Sequence, residues 1–322
     1  MRYLSTFSGI GGFELGIQQA YENNNSRKCR ERSRMSECVR PEWDSSNSEG
    51  KSWKDNKNYP ICIGFSEIDK YAIETYQSHF NHKNYGDITK IKTEDLPDFD
   101  LLVGGFPCQA FSIAGKRKGF EDTRGTMFFE LARILRDKQP RLFVFENVKG
   151  LLSHDSGHTF KTIISTIDEL GYDCQWQVLN SKNHGVPQNR ERVFIIGHLR
   201  GTSRPKVFPI GQNDKENTES REVCTSATVS TRTGSTAGGQ QFIANTLDAN
   251  YAKGNSSTKE SHTPRTEVVQ GMKIRRLTPT ECERLQGFPD NWTIGSDTQG
   301  YKQCGNAVTV NVIKDIFEKI LC

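Results

Sequence analysis

The sequence lacks any run of eighteen uninterrupted apolar residues, so no segment reads as a helix crossing a bilayer. It also lacks a charged and then greasy leader. Met1-Arg2-Tyr3-Leu4 passes straight into a strand-like segment, and neither export nor membrane insertion is expected. The nine cysteines are odd in number and show none of the paired spacing of a zinc site: Cys29 and Cys38 stand too far apart for a knuckle, and Cys282 and Cys304 have no close partners. Reduced thiols, no bound metal and a cytoplasmic setting are expected. Charge of one sign is scarce as well. The 43 Lys and Arg against 39 Asp and Glu leave a net charge of +4, which permits a polyanionic partner without demanding one. With 322 residues, 34% hydrophobic and 25% charged, the chain can bury a core sufficient for one large domain and a smaller satellite.

Two stretches lack apolar rhythm. Residues 22–60 repeat Asn, Ser, Lys, Arg and Glu without a helical or strand period and read as an inserted, mobile surface excursion, while residues from about 201 to 270 are rich in Ser, Thr, Gly and Asn. Elsewhere the rhythm is clear. Arg2 to Phe7 is a strand candidate stopped by Ser8-Gly9-Ile10-Gly11-Gly12, and Phe13, Leu15, Ile17 and Ala20 support a helix after it. Ile61 to Phe65 followed by a helix around Tyr71 to Phe80 repeats the unit, and Asp100 to Val103, Arg141 to Phe145 and Arg192 to Leu199 are further strands. Helical spacing recurs through Phe128, Leu131, Ala132 and Leu135, and again through Phe160, Ile163, Ile164, Ile167 and Leu170. Thr278-Pro279-Thr280-Glu281 is a capping box with proline at the first helical position, its helix stops at Gly287-Phe288-Pro289, and a last amphipathic helix uses Val308, Val312, Ile313, Ile316, Phe317 and Ile320. Alternating strands and helices predict an α/β fold with a parallel sheet covered on both faces. The division expected is a main domain over 1–199, a small irregular region over 200–272, and a segment over 273–322 that returns to the main domain.

A glycine turn between a first strand and its helix lets a ligand approach the backbone, although any α/β protein can carry such a turn. An acid that holds ribose hydroxyls in these folds usually ends the second strand about 20 residues on. Glu67 lies 56 residues beyond Gly11, and 17 once residues 22–60 are discounted. Cys108 follows a strand's carboxyl end in Gly105-Phe106-Pro107-Cys108-Gln109, where stiff neighbours present the thiol and Lys116, Arg117 and Lys118 favour its thiolate. Glu146 ends the next strand, as a structural cap or as a second reactive group. Arg190 and Arg192 flank Glu191, as scaffold ion pairs or as anion binders.

The ordered set is specific. Phe7-Ser8-Gly9-Ile10-Gly11-Gly12-Phe13, then Gly105-Phe106-Pro107-Cys108-Gln109-Ala110-Phe111-Ser112, Glu146-Asn147-Val148, Gln188-Asn189-Arg190-Glu191-Arg192-Val193, Arg276-Leu277-Thr278-Pro279 through Gln286-Gly287-Phe288-Pro289, and Gly305-Asn306-Ala307-Val308 together resemble the cytosine carbon-5 DNA methyltransferases of bacterial and phage restriction–modification. The resemblance covers residues 1–21, 61–199 and 273–320 and is loose across 200–272. It implies a Rossmann-like S-adenosylmethionine-dependent methyltransferase sheet, with S-adenosylhomocysteine as product. In the cofactor site Phe7 stacks on the ligand beside Gly9, Gly11 and Gly12, Glu67 holds the ribose, Ile68 packs on the adenine and Asp87 bonds its amine. Ile88, Pro107, Asn306 and Val308 complete that site. Cys108 is the implied nucleophile, Glu146 grips the cytosine amine and ring nitrogen 3, Arg192 contacts the carbonyl oxygen and Arg190 supports the pocket.

The resemblance also implies double-stranded DNA as partner, a flipped cytosine, and a closing loop from Gln109 to about Arg124 in which Gln109, Ser112, Lys116, Arg117 and Arg124 meet DNA. Thr246-Leu247 resembles the short marker of a target-recognition domain. Residues 200–275 hold eleven Lys and Arg against seven Asp and Glu among many Ser, Thr, Asn and Gln, which suits base edges and phosphates but also a solvated linker. A monomer is expected, with any cognate restriction endonuclease acting separately, in restriction–modification or in protecting phage DNA. A transfer-RNA cytosine methyltransferase on the same scaffold would carry a Cys-Phe-Thr element that is absent. A catalytically dead DNA-binding relative would lose Pro107-Cys108 or Glu146, and both are present.

Overall fold

The computed structural model describes residues 1–33, 59–107, 127–203, 205–211, 244–245, 267–270 and 273–321. The chain opens with β1 (Arg2–Thr6), α1 (Gly12–Ser33), β2 (Ile61–Ser66), α2 (Lys70–His79), β3 (Leu101–Gly105), α3 (Met127–Lys138), β4 (Leu142–Val148), α4 (His158–Glu169) and β5 (Tyr172–Asn180). Then follow β6 (Gln188–Asn189), β7 (Glu191–Leu199), β8 (Ala244–Asn245), β9 (Glu267–Gln270), β10 (Lys273–Arg276), α5 (Pro279–Leu285), α6 (Asp297–Asn306) and α7 (Val310–Ile320). Six strands form one sheet in the order β2-β1-β3-β4-β7-β5. Successive residues of a strand point to opposite faces, and over the central strands both faces are dry. Leu4, Leu102, Phe143, Phe145, Val193 and Ile195 meet α3 and α4, while Tyr3, Leu101, Val103, Val144, Phe194 and Ile196 meet α1 and α7. Double burial is why these strands read as unbroken apolar runs.

The sheet departs from the all-parallel expectation at one strand. β7 runs antiparallel to both β4 and β5. Between β5 and β7 lie only residues 181–190, too few for the helical crossover that a parallel return requires. β5 itself went unanticipated, although Tyr172, Cys174, Trp176 and Val178 alternate with Asp173, Gln175 and Gln177 at strand period. Beyond β7 the chain stays on the sheet: the amides of Phe208 and Ile210 donate to Gln175 Oε1 and Gln177 Oε1 at 3.2 and 2.9 Å, and Val207 and Phe208 are buried. The core body thus extends past residue 199, and the β9–β10 ladder spans the expected boundary at 272.

Residues 22–33 also differ from their expected character, because α1 continues through Ser33. Its second half is held by polar contacts that apolar periodicity cannot reveal: Gln18 donates to Glu22, and Asn23 and Arg27 both donate to Glu318 near the end of α7, at 2.8 and 3.0 Å. The remainder of the expected insertion, 34–58, lies outside the described residues. The capping box forms as expected, with the Glu281 amide donating to Thr278 Oγ1 and the Thr278 amide to Glu281 Oε2. α6 was not anticipated, being mostly polar with two glycines. No described helix is long and apolar enough to cross a membrane.

Glu14, in the first turn of α1, is buried beneath the glycine turn and accepts the Tyr76 hydroxyl at 3.0 Å. Burial pushes its pKa up to about 6 from 4.5, against the lowering effect of bonds from Ser5 and Tyr76. The folded state therefore holds a proton that the unfolded chain releases, so this group's stabilising contribution is full below about pH 4.5 and lost as pH rises to about 6. Glu14→Gln should remove that loss. Its unfolding free energy relative to the parent should rise by about 2 kcal/mol between pH 4.5 and 7 in denaturant titrations. A difference that does not vary with pH would contradict the assignment.

Candidate active site

The four parallel strands end on one edge of the sheet, and the order β2-β1-β3-β4 opens a crevice there between β1 and β3. The Thr6 hydroxyl, donating to the Val103 carbonyl at 2.9 Å, ties those two strand ends together. Phe7 leaves β1 with φ at 50°, an uncommon backbone for a bulky aromatic and a mark of strain held by its surroundings. Gly9 has φ at 53°, and nothing lies within 4 Å of where a side chain would begin. The turn is open at that point. Gly12 is the reverse case: a side chain there would begin 2.7 Å from Val308 Cγ1, so Val308 packs directly on the helix start.

Glu67 follows β2 and reaches across to the turn. Its Oε2 accepts the Gly9 amide at 2.9 Å, and its Oε1 accepts the amides of Ile68 and Asp69 at 2.8 and 2.9 Å. Ile68 is 74% exposed, an apolar side chain beside an open turn. A strap through Asn84 and Gly86 brings Asp87 to the same edge, since Asn84 Nδ2 donates to the Glu67 carbonyl and Ser66 Oγ to that of Gly86. Asp87 Oδ1 accepts the hydroxyl and amide of Thr89, and these bonds hold its carboxyl below the usual range. Ile88 buries its side chain in the core under α3, so any ligand contact from it would be through its backbone. Asn306, exposed, ends α6 close to Val308 in the chain.

On the other side of the crevice Glu146 projects from β4. Gly105, its partner in β3, leaves room for it: a side chain at 105 would begin 3.0 Å from Glu146 Oε2. Arg192, two residues along β7 from the strand partner of Glu146, places Nε 3.0 Å from Glu146 Oε1. Burial raises the Glu146 pKa, and the guanidinium groups of Arg192 and Arg190 oppose that rise without cancelling it. Arg190 is 3% exposed and donates to the carbonyls of Gly305 and Ala307 at 3.1 and 2.9 Å. Its own pKa falls to about 9, chiefly through burial. Pro107 is exposed at the end of the described segment after β3. Cys108, Gln109, Ser112, Lys116, Arg117, Arg124, Thr246 and Leu247 lie outside the described residues.

One positioning residue was passed over in the sequence. Asn147, buried, donates from Nδ2 to the Phe106 carbonyl at 2.9 Å and so ties the chain entering Pro107 to the end of β4. A polar residue at a strand's end between Glu146 and Val148 was the available signal, but the acceptor across the sheet was not visible.

The profile of the C-5 cytosine-specific DNA methylase family matches residues 1–237 and 225–322. The chain belongs to that family. It is a DNA cytosine-5 methyltransferase. Its relatives include a type II methyltransferase of Lactococcus lactis subsp. cremoris, M1.ScrFI, 43% identical over 80% of this chain and 71% of its own. M.SsoII of Shigella sonnei is 40% identical over 99% and 80%, and M.HhaI of Haemophilus parahaemolyticus 34% identical over 98% and 93%. Among solved structures, the S. pombe Dnmt2 methyltransferase superposes with a TM-score of 0.64 at 17% identity, covering 99% of this chain and 97% of its own, which supports the fold.

Arg190 should be structural in this methyltransferase before it is anything else. Arg190→Met removes the donors from two carbonyls at the α6 terminus, so unfolding free energy should fall by about 2–4 kcal/mol in urea titrations. An unchanged midpoint would show that these carbonyls find other donors.

Proposed function

We propose that the chain methylates carbon 5 of a cytosine flipped out of duplex DNA, through a covalent bond from Cys108 to carbon 6. The observation that carries this reading is the partly buried Glu146–Arg192 pair, set at the sheet edge beside the segment leading to Cys108. Carbon 5 is a poor nucleophile. Addition of the Cys108 thiolate at carbon 6 makes the ring an enamine, and negative charge develops at nitrogen 3. A protonated Glu146 carboxyl donates there, and burial, which raises its pKa, favours that form. Arg192 meets the cytosine carbonyl oxygen while holding Glu146 in place. Once carbon 5 carries the methyl group, a solvent base takes its proton, the C–H electrons re-form the carbon 5–carbon 6 double bond and Cys108 is expelled as thiolate. Unstacking the base costs a few kcal/mol, which contacts on the flipped strand must offset.

The donor side fits S-adenosylmethionine, which supplies the methyl group when bound. Open space over Gly9, the Glu67 carboxylate, the exposed Ile68 and the strained Phe7 are what a ribose and an adenine would need. Asp87, the Ile88 backbone, Pro107, Asn306 and Val308 complete that pocket, with Gly11 and Gly12 in its turn. Gln109, Ser112, Lys116, Arg117 and Arg124 act on DNA from the loop after the nucleophile. In this reading residues 200–272, with Thr246 and Leu247, choose the target sequence, and the chain works as a monomer apart from any endonuclease.

Bisulfite sequencing of a mixed-sequence plasmid treated with enzyme and S-adenosylmethionine tests this reading. Methylated cytosines should fall in one short motif. Cys108→Ser should leave none, and Glu146→Gln should slow turnover by about 10²–10⁴-fold because the amide keeps a hydrogen bond and loses the acid. The limb of the kcat profile that falls with rising pH, as Glu146 loses its proton, should flatten in Glu146→Gln. Methylation by Cys108→Ser would sink the covalent route.

A further inference from the structure

The structure assigns Trp292 as the residue that positions the glycine turn for cofactor, an inference that rests on the proposed cofactor reading and goes beyond it. Trp292 lies between α5 and α6, far in sequence from the turn. Its indole Nε1 nevertheless donates to the Ile10 carbonyl at 2.9 Å in a buried setting. Ile10 sits between Gly9 and Gly11, both with positive φ, so its carbonyl has no place in the α1 ladder and needs a donor from elsewhere. A buried tryptophan N–H needs an acceptor equally. The two requirements meet in one bond.

The ring is held as firmly as the N–H. His79 stacks on it at 3.6 Å between centroids and 10° between planes, and its Nε2 donates to the Trp292 carbonyl at 2.8 Å. Phe80 meets it edge-on and also lies against Gly11, while Phe288 packs on it at a tilt and lies against Gly12. Trp292, Phe80 and Phe288, with Ile10, Ala72, Ala307 and Val310, form one apolar cluster around the turn. The backbone after Trp292 is pinned as well. The Thr293 amide and hydroxyl donate to Glu283 Oε1 at 2.7 and 2.6 Å, and the Ile294 amide donates to Thr75 Oγ1 at 3.0 Å. Glu283 is 1% exposed, a buried carboxylate committed to this loop.

The turn is therefore gripped from two sides. Glu67 takes the Gly9 amide and Trp292 supplies the Ile10 carbonyl's donor, so peptide planes on both sides of the Gly9–Ile10 link are fixed before a ligand arrives. Pre-set backbone lowers the ordering cost of binding. Trp292 itself touches no reacting atom. Its contribution is to cofactor affinity, through the shape of the turn.

The test is Trp292→Phe, which keeps a ring in the cluster and removes the N–H. Calorimetry with S-adenosylhomocysteine should give a dissociation constant roughly tenfold weaker, the loss expected when a buried carbonyl is orphaned. KM for S-adenosylmethionine should rise by a similar factor while kcat at saturation and affinity for duplex DNA change far less. His79→Ala, altering an exposed position that supports the ring, should weaken the same binding by roughly threefold. Unaltered S-adenosylhomocysteine affinity in both variants would overturn the assignment. So would equal losses of cofactor and DNA affinity with a lowered melting temperature, which would reduce Trp292 to general packing. A parent protein that binds no S-adenosylhomocysteine would instead overturn the cofactor reading, and the role of Trp292 with it.

Discussion

A guanidinium buried at the junction of the chain's two halves is the constraint on which the site depends. Arg190 enters from the short β6–β7 corner and satisfies the Gly305 and Ala307 carbonyls, where α6 ends and the approach to α7 begins. Because α7 packs beside α1 and Val308 packs on Gly12, fixing that corner also fixes the start of α1 and the turn before it. The same charge lies near Glu146, where it opposes the effect of burial on that carboxyl. A charge taken out of water in this way is costly unless its hydrogen bonds are met, and here they run between elements more than a hundred residues apart in sequence. The Glu67–Gly9 side and the Glu146–Arg192 side of the crevice are thereby parts of one packed unit.

Within that unit the two sides use opposite strategies. On the Glu67 side backbone does most of the positioning, with Glu67 occupied by three amides and Gly9 left open. On the Glu146 side, side chains do it: Gly105 makes room for the Glu146 carboxyl, Arg192 orients it, and Asn147 fixes the chain that leads into Pro107. A carboxyl whose pKa is raised beside a guanidinium suits a group that must donate a proton and still be held in one orientation.

Much of this was legible in the sequence, and the misses have physical causes. β1, β3, β4 and β7 were visible because both of their faces are dry, which leaves runs such as Leu142 to Phe145 without polar interruption, and β2 was visible as a short apolar run. β5 escaped because an edge strand carries Gln175 and Gln177, whose amides bind the segment through Phe208 and Ile210 instead of lining a core. The second half of α1 escaped because Asn23 and Arg27 are held by Glu318, a partner nearly three hundred residues away that no local period announces. Glu67 and Glu146 stood out as acids ending strands, and the structure sets both on the same sheet edge. Asn147 and Trp292 did not stand out, because their work is a single bond to a distant carbonyl.

If methyl transfer proceeds through a covalent bond from Cys108, that bond can be trapped. Duplex DNA carrying 5-fluorocytosine at the target position cannot lose fluorine as it would a proton, so with S-adenosylmethionine present the methylated adduct should persist through denaturation. Peptide mass mapping should place the adduct on Cys108. No denaturation-resistant adduct, or one that maps to another of the nine cysteines, would rule out Cys108 as the nucleophile.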